Sequence, residues 1–335
     1  MWPGGRSARP CSCSYTYRSI DLYTYIYIYD YIYVVSLRAG LKKTRRGALL
    51  PSPDFFYSFP RSFPPAGMRT ARLALNLGLR AVGARTLCPR TMASATSERA
   101  DAIGNNLRVV VLDVLDAAAR VASSPHRHPR VVAVSKMKPV EDLQAAYDAG
   151  QRDFGENYVQ EIVEKAAEMP GDVRWRFIGH LQSNKVRLLL EGVPSLQCIE
   201  TVDTEKLANK LNTTVDALGR PPLECFVQVN TSGEESKHGV DPSAVVELCT
   251  HIARHCPHLR LGGLMTIGMP DYTSRPENFS MLASCRDAVA EALGLEPSSL
   301  ELSMGMSGDY VAAVEMGSTN VRVGSTIFGA RDYSK

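Results

Sequence analysis

The sequence predicts an α/β fold, a TIM (β/α)8-type barrel, over residues 98–335. From residue 98 onward, short apolar runs alternate with longer stretches whose apolar residues recur at helical spacing. Strands that alternate with helices in this way form parallel βα units. Eight such runs in roughly 210 residues match the smaller end of the (β/α)8 barrel. A doubly wound open sheet is the alternative, but no Gly-x-Gly-x-x-Gly follows the first strand.

An amphipathic stretch over 98–122 precedes the first strand and is expected to be helical. The apolar runs place the strands at 130–135, 152–155, 173–179, 195–200, 223–230, 260–267, 300–303 and 320–324. Helical spacing between them predicts helices near 140–149, 157–168, 182–190, 204–218, 242–254, 275–292 and 309–316.

Composition indicates a soluble globular protein and argues against several classes of partner. Hydrophobic residues make up 44% of the chain and charged residues 22%, so a packed core is expected. The net charge of +3 arises from basic residues crowded into the first hundred positions, and no nucleic-acid partner is expected. The most apolar segment, 20–37, is interrupted by Asp21 and Asp30, so no membrane partner is expected either. The eight cysteines show no disulfide framework, which favours a reducing compartment.

The first hundred residues are unlike the rest. Residues 1–67 include an alternating Tyr/Ile stretch at 25–33 that resembles a translated TA repeat, and they are interpreted as a spurious or disordered leader. Residues 68–97 are interpreted as a transit peptide or a linker, because 68–91 contain five arginines and no acidic residue. The sequence therefore predicts a cytoplasmic protein, with mitochondrial targeting if translation starts at Met68.

Lys136 follows the first predicted strand, at the end of the barrel where functional residues are expected. In a parallel barrel the functional residues lie at the carboxyl ends of the strands. Lys136 follows Val-Val-Ala-Val, an apolar run expected to be buried on both faces. Burial lowers the pKa of a lysine and frees a nucleophilic amine. The alternative is that Lys136 caps the strand and extends to solvent, as Lys138 would.

Small residues after the last two strands predict a phosphate site. Ser307 precedes a predicted helix, and the turn Gly324-Ser325-Thr326 follows the eighth strand. Glycine-rich turns and helix starts gather backbone N–H groups that can bind phosphate, although the same residues also suit ordinary turns. Together with Lys136, this pattern indicates a phosphorylated carbonyl ligand.

Two further side chains are candidates for the mouth of the barrel. Arg322 shares its strand face with Gly324, and a buried arginine needs a partner, either a core carboxylate such as Glu156 or a ring nitrogen of the ligand. His180 follows the third strand and could act as an acid or base, or lie on the surface. No metal site is predicted, because His251, His255 and His258 cluster at a helix end where histidine is favoured by the dipole.

Seven motifs occur in an order that is similar to one known family. They are AVSKMKP at 133–139, FGENYVQE at 154–161, FIGHLQSNK at 177–185, VNTSGEESKHG at 229–239, LMTIG at 264–268, LSMGMSGDY at 302–310 and VRVGSTIFGAR at 321–331. Together they closely resemble the pyridoxal phosphate homeostasis proteins, which are related to the N-terminal barrel of the alanine racemases. The resemblance implies a fold-type III barrel that binds pyridoxal 5′-phosphate (PLP).

The same resemblance assigns roles to individual residues. It implies that Lys136 forms the Schiff base and that Arg322 lies near the pyridine nitrogen. Ser307 and the turn of Gly324, Ser325 and Thr326 are implied at the phosphate. Asn157, His180 and Met265 match family residues around the cofactor.

Two functions that use PLP remain open for such a barrel: a homeostasis protein that stores, carries and protects the aldehyde, and an amino-acid racemase of weak activity. A phosphosugar-type barrel without PLP is a third alternative. Related racemases take a second base, a tyrosine, from an added C-terminal β domain. This chain ends at Lys335, four residues after the last motif, so that domain is expected to be absent. We therefore expect binding and release of PLP without efficient catalysis. PLP-dependent apoenzymes are the expected partners, and a monomer is expected.

Overall fold

The computed structural model describes residues 90–121, 128–233, 238–267 and 276–330, with side chains from residue 97 onward. All of them belong to one of the two compact units into which the chain divides, Pro89–Lys335. The leader at 1–67 and all but the last eight residues of the 68–97 segment lie outside the described ranges. Within these ranges no helix is long and apolar enough to cross a bilayer.

Eight parallel strands close into a barrel in the order in which they occur along the chain. They are β1 (Arg130–Val134), β2 (Asp153–Glu156), β3 (Arg174–Phe177), β4 (Leu196–Val202), β5 (Leu223–Gln228), β6 (Leu259–Met265), β7 (Glu301–Met306) and β8 (Asn320–Val323). The barrel closes where β1 pairs with β8, with Ala133 opposite Val323. The predicted barrel is confirmed, and the open-sheet alternative is wrong.

Helices follow the strands and cover the outside of the barrel. They are α1 (Arg90–Arg120), α2 (Val140–Asp148), α3 (Val159–Glu168), α4 (Val186–Gly192), α5 (Glu205–Ala217), α6 (Val245–His255), α7 (Pro276–Leu293), α8 (Tyr310–Glu315) and α9 (Ser325–Phe328). Short 3-10 turns at Ser183–Lys185, Pro242–Ala244 and Pro297–Ser299 precede α4, α6 and β7. Two differences from the sequence prediction stand out: α1 begins eight residues earlier than expected, and α9 was predicted as a turn.

α1 is an amphipathic helix laid along the barrel. Its buried residues Leu107, Val110 and Val114 recur at spacings of three and four, which forms one apolar stripe. This stripe faces α2, α8 and α9. Polar contacts fix the same packing, since Tyr310 donates its hydroxyl to Asp113 at 2.7 Å. The helix thereby supports the two elements, α8 and α9, that follow β7 and β8.

The barrel interior contains a buried polar network. Glu200 on β4 accepts a hydrogen bond from the hydroxyl of Ser303 on β7 at 2.6 Å. Because β4 and β7 are not neighbours in the sheet, this bond crosses the interior. Arg176 on β3 forms an ion pair with the other oxygen of Glu200. Side chains alternate between the two faces of a strand, so these residues share the inner face.

Candidate functional site

The nine residues assigned by the motifs lie at the carboxyl end of the barrel or just below it. Each follows a strand or occupies its last part: Lys136 after β1, Asn157 after β2, His180 after β3, Met265 at the end of β6, Ser307 after β7, Arg322 in β8, and Gly324, Ser325 and Thr326 after β8. In TIM barrels this end carries the active site.

Backbone amides after β8 converge on one oxygen after β7. The Gly324 N–H donates to Ser307 Oγ at 3.1 Å, and the Thr326 N–H donates to the same oxygen at 3.5 Å. The Thr326 hydroxyl donates to the Ser307 carbonyl, also at 3.5 Å. We call Ser307, Gly324 and Thr326 the amide cradle. Two amides pointing at one oxygen are the donors that a phosphate oxygen uses.

The amide cradle lies against β1, the strand that precedes Lys136. A Cβ added to Gly324 would stand 3.1 Å from the carbonyl oxygen of Val134 and 3.3 Å from its Cβ, so the chain after β8 packs tightly against β1. Lys136 is two residues beyond Val134, in the turn that follows the strand. Its side chain is half-buried.

The two residues after Lys136 are held in place. Met137 has φ +58°, in the left-handed region that non-glycine residues rarely adopt, so the chain turns sharply after the lysine. The Met137 N–H donates to the carboxylate of Glu161 at 2.6 Å. Lys138 is buried, and its ammonium donates to the carbonyls of Phe328 and Ala330 at 3.2 and 2.6 Å. The expectation that Lys138 extends to solvent is therefore wrong.

Arg322 is buried in β8, two residues before Gly324 of the amide cradle. Its guanidinium donates to Ser303 Oγ and to the carbonyl of Thr266, both at 2.6 Å. Burial lowers the pKa of Arg322, and the carboxylate of Glu200, reached through Ser303, acts in the opposite direction. The suggested pairing with Glu156 is wrong.

Glu156 instead accepts hydrogen bonds from Ser135 Oγ at 2.6 Å and from Lys165 Nζ at 2.7 Å. Lys165 lies on α3, so this carboxylate points out of the barrel, toward the surrounding helices. Burial raises its pKa, and Lys165 opposes that effect.

Met265 and Asn157 complete this part of the mouth. Met265 is fully buried beside Cys198 and Phe226, and it pairs in register with Ser303, the partner of Arg322. The side-chain oxygen of Asn157 is buried and has no hydrogen-bond partner among the residues described. A buried polar atom in that state costs free energy unless a donor reaches it.

His180 lies beside two residues that the motifs did not assign. Its ring stacks on that of His238, with centroids 3.7 Å apart and planes at 11°. Its Nδ1 is 3.7 Å from Asp203 Oδ2. Burial raises the pKa of Asp203, and the two imidazoles act against that shift.

Asp203 and His238 were not assigned from the sequence. Asp203 directly follows β4, so reading the end of that strand would have found it. His238 belongs to the segment between β5 and α6, and nothing in the sequence indicates where that segment folds back.

Comparison with known proteins places the chain in a family. Residues 100–332 match the alanine racemase N-terminal domain family. The human pyridoxal phosphate homeostasis protein is 49% identical over 243 residues, which are 70% of this chain and 88% of the human protein. The chain belongs to the pyridoxal phosphate homeostasis protein family. The protein of that name from Schizosaccharomyces pombe is also 49% identical, over 64% of this chain and 89% of its own length.

A solved structure of a related protein contains the cofactor. PipY of Synechococcus elongatus PCC7942, with PLP bound, is 33% identical and superposes with a TM-score of 0.54, covering 68% of this chain and all of PipY. The family and the barrel expected from the motifs are confirmed by these comparisons.

Proposed function

We propose that this protein binds PLP through a Schiff base to Lys136 and acts in intracellular PLP homeostasis by storing, carrying and protecting the aldehyde. The observation that carries the proposal is the amide cradle, which lies against β1, the strand that precedes Lys136. One end of that arrangement suits a phosphate and the other suits a carbonyl carbon. The names of the relatives and the PLP in PipY support the same cofactor.

The amide cradle would hold the phosphate. The N–H groups of Gly324 and Thr326 already point at a common oxygen, Ser307 Oγ, so little reorganisation is needed to direct them at a phosphate oxygen. Hydrogen bonds to charged acceptors are about twice as strong as neutral ones. The Ser307 hydroxyl can turn to donate to the same group.

Lys136 would supply the amine. Its half-buried side chain follows the buried end of β1, Val132 to Val134, at the carboxyl end of the barrel. Lys138, the nearest lysine in sequence, donates hydrogen bonds to the carbonyl oxygens of Phe328 and Ala330, which follow the amide cradle in the chain. The sharp turn at Met137 separates the directions of the two lysines.

Arg322 would face the ring nitrogen of the cofactor. PLP supplies an aldehyde and, when its ring nitrogen is protonated, an electron sink. A guanidinium can only donate hydrogen bonds, so a ring nitrogen that accepts from Arg322 stays unprotonated. The electron sink is weakened as a result, although this feature alone does not decide between holding and catalysis. The unpartnered oxygen of Asn157 is the second polar group available to the ligand.

The test is the visible spectrum of the full chain loaded with PLP, before and after borohydride. The wild type should show an absorption band that borohydride removes, and Lys136→Ala should lack it. Lys185→Ala is the matched control, because this exposed lysine follows β3 at the same end of the barrel. A wild type without a reducible band, or a Lys136→Ala variant that keeps it, would contradict the proposal.

The choice between holding and catalysis needs a second measurement. The same PLP-loaded sample is assayed for exchange between D- and L-alanine and for reconstitution of an apo-aminotransferase. We expect the apoenzyme to gain activity and the exchange to be slow. Exchange at about 1 s⁻¹ or faster, an ordinary enzymatic rate, would identify an amino-acid racemase instead.

A further inference from the structure

Two imidazoles and a carboxylate meet at the carboxyl end of the barrel, on the side of β3 to β5. His180 follows β3, Asp203 follows β4, and His238 lies between β5 and α6. One ligand atom from each of the three residues lies within 4.8 Å of the others. We propose that these three residues, the histidine–aspartate cluster, bind one divalent d-block cation such as Zn²⁺.

The donor set selects the class of metal. Imidazole nitrogen suits Zn²⁺, Cu²⁺, Ni²⁺ and Fe²⁺, whereas Mg²⁺ and Ca²⁺ prefer all-oxygen sites. Two histidines and one carboxylate are also the ligands of catalytic zinc sites, which keep a fourth position for water or substrate. The three residues would therefore leave one position of a four-coordinate cation open.

The present spacing is close to that of a coordinated ion. Tetrahedral ligands at the usual zinc distance of about 2.05 Å are about 3.3 Å apart. His180 Nδ1 and Asp203 Oδ2 are 3.7 Å apart, which is too long for a hydrogen bond and close to the coordinated separation. Both histidines are exposed, so their rings can rotate toward an ion without disturbing the core.

The surroundings favour a cation at this point. The Asp203 side chain is only 12% exposed, and a largely buried carboxylate needs a nearby positive charge. Within the described part of the chain, neither imidazole of the cluster forms a side-chain hydrogen bond that would tie up its nitrogens. By contrast, His251 on α6 is bonded to Asn209 at 2.9 Å.

The histidine–aspartate cluster and the amide cradle belong to different parts of the barrel wall. Because the strands follow each other in sequence order, β3 to β5 lie across the interior from β7 and β8. A cation here would therefore leave the amide cradle accessible. His180 is also expected near the cofactor, so the measurement is made with and without PLP.

The test uses Co²⁺ and Zn²⁺ on the full chain after removal of metals by a chelator. Co²⁺ should give a visible d–d absorption that saturates at one equivalent and that Zn²⁺ displaces, while Mg²⁺ has no effect. His238→Ala and Asp203→Asn should each weaken Zn²⁺ binding by at least about 100-fold, since losing even an outer partner of a ligand costs 10–100-fold. Thermal unfolding without metal checks that both variants are folded.

A rival pair of histidines supplies the control. His251 and His255 are four residues apart on α6, with ring centroids 5.2 Å apart, and such pairs can bind zinc on a helix surface. The double variant His251→Ala/His255→Ala should keep full binding. Binding that follows this pair, or Zn²⁺ affinities of His238→Ala and Asp203→Asn equal to that of the wild type, would overturn the proposal.

Discussion

Two buried glutamates, Glu200 and Glu156, should respond very differently to the same substitution by glutamine. Both side chains are completely inaccessible to solvent. Glu200 lies in the barrel interior between Arg176 and Ser303. The side chain of Glu156 points to the outer side of the barrel, where it accepts hydrogen bonds from Ser135 and Lys165. The substitution preserves shape, so the comparison isolates the charge.

Glu200→Gln removes the carboxylate that neutralises Arg176 in the interior. Breaking a buried ion pair by removing one partner costs about 3–5 kcal/mol, because the remaining charge is left uncompensated. Glutamine can still accept from Ser303, and Glu224 remains 3.7 Å from Arg176, so we expect the lower end of that range. About 3 kcal/mol corresponds to a fall in melting temperature of roughly 6–12 °C for a domain of this size.

Glu156→Gln should cost much less. Lys165 keeps the carboxylate of Glu161 at 2.6 Å and the carbonyl of Ser135 at 2.7 Å, so its charge stays paired. Glutamine can replace the oxygen that accepts from Ser135, and the other oxygen of Glu156 has no partner among the residues described. The net change in the free energy of unfolding should stay within about 1 kcal/mol.

Urea unfolding at several pH values measures both effects. For Glu200, burial alone would raise the pKa, but Arg176, Arg322 and Ser303 outweigh it and hold the pKa below the ordinary 4.5. Its contribution to stability is present above pH 4.5 and is lost as the pH falls through the folded-state pKa. The cost of Glu200→Gln should therefore shrink at low pH.

The pKa of Glu156 is raised, mainly by burial, so the opposite holds there. Its contribution is present below the ordinary pKa and is lost as the pH rises through the folded-state pKa. Glu156→Gln should become relatively more stable with rising pH. Equal losses for the two variants, or a cost of Glu200→Gln that grows toward low pH, would refute this account of the network.

Two further substitutions test the mouth. Ser307→Ala removes the oxygen on which the cradle amides converge and a donor to the phosphate, so PLP should bind about 10–100-fold more weakly in an absorbance titration. Ser284→Ala is the control, because this serine is exposed on α7, and the variant should bind PLP normally. Gly179→Ala places a Cβ 2.0 Å from the Asn157 carbonyl and should destabilise the fold by about 1–3 kcal/mol in thermal unfolding. Gly171→Ala is the control, because its added Cβ would meet nothing within 4 Å, and it should not destabilise the fold. Equal melting temperatures for the two variants would contradict the close approach of Gly179 to Asn157.

Much of the fold could be predicted because its physical signals are local. Strands of a parallel barrel are buried on both faces and tend to appear as apolar runs, and each of the eight predicted runs overlaps a strand. The amide cradle could be anticipated for a related reason. β7 and β8 are neighbours, so the residues that follow them must meet at the same end of the barrel.

Interactions across the interior could not be predicted in the same way. The hydrogen bond between Glu200 and Ser303 joins strands that are three positions apart around the barrel. The order of the strands does not indicate which side chains meet across the interior. This is why Glu156 was offered as the partner of Arg322 although it points outward. The helix α9 was missed because Ser-Thr-Ile-Phe is rich in residues with low helix propensity, and packing against α1 overrides that preference.

The interior network also links stability to the proposed chemistry. Burial works against the charge on Arg322, and the nearby guanidinium of Arg176 adds repulsion. Glu200 opposes both effects, since it pairs with Arg176 and reaches Arg322 through Ser303. Removing the carboxylate of Glu200 should therefore change the electrostatic surroundings of Arg322 as well as the stability of the barrel. If a PLP ring nitrogen accepts from Arg322, Glu200→Gln should change the absorption spectrum of bound PLP as well as the melting temperature, whereas Glu156→Gln should leave the spectrum unchanged.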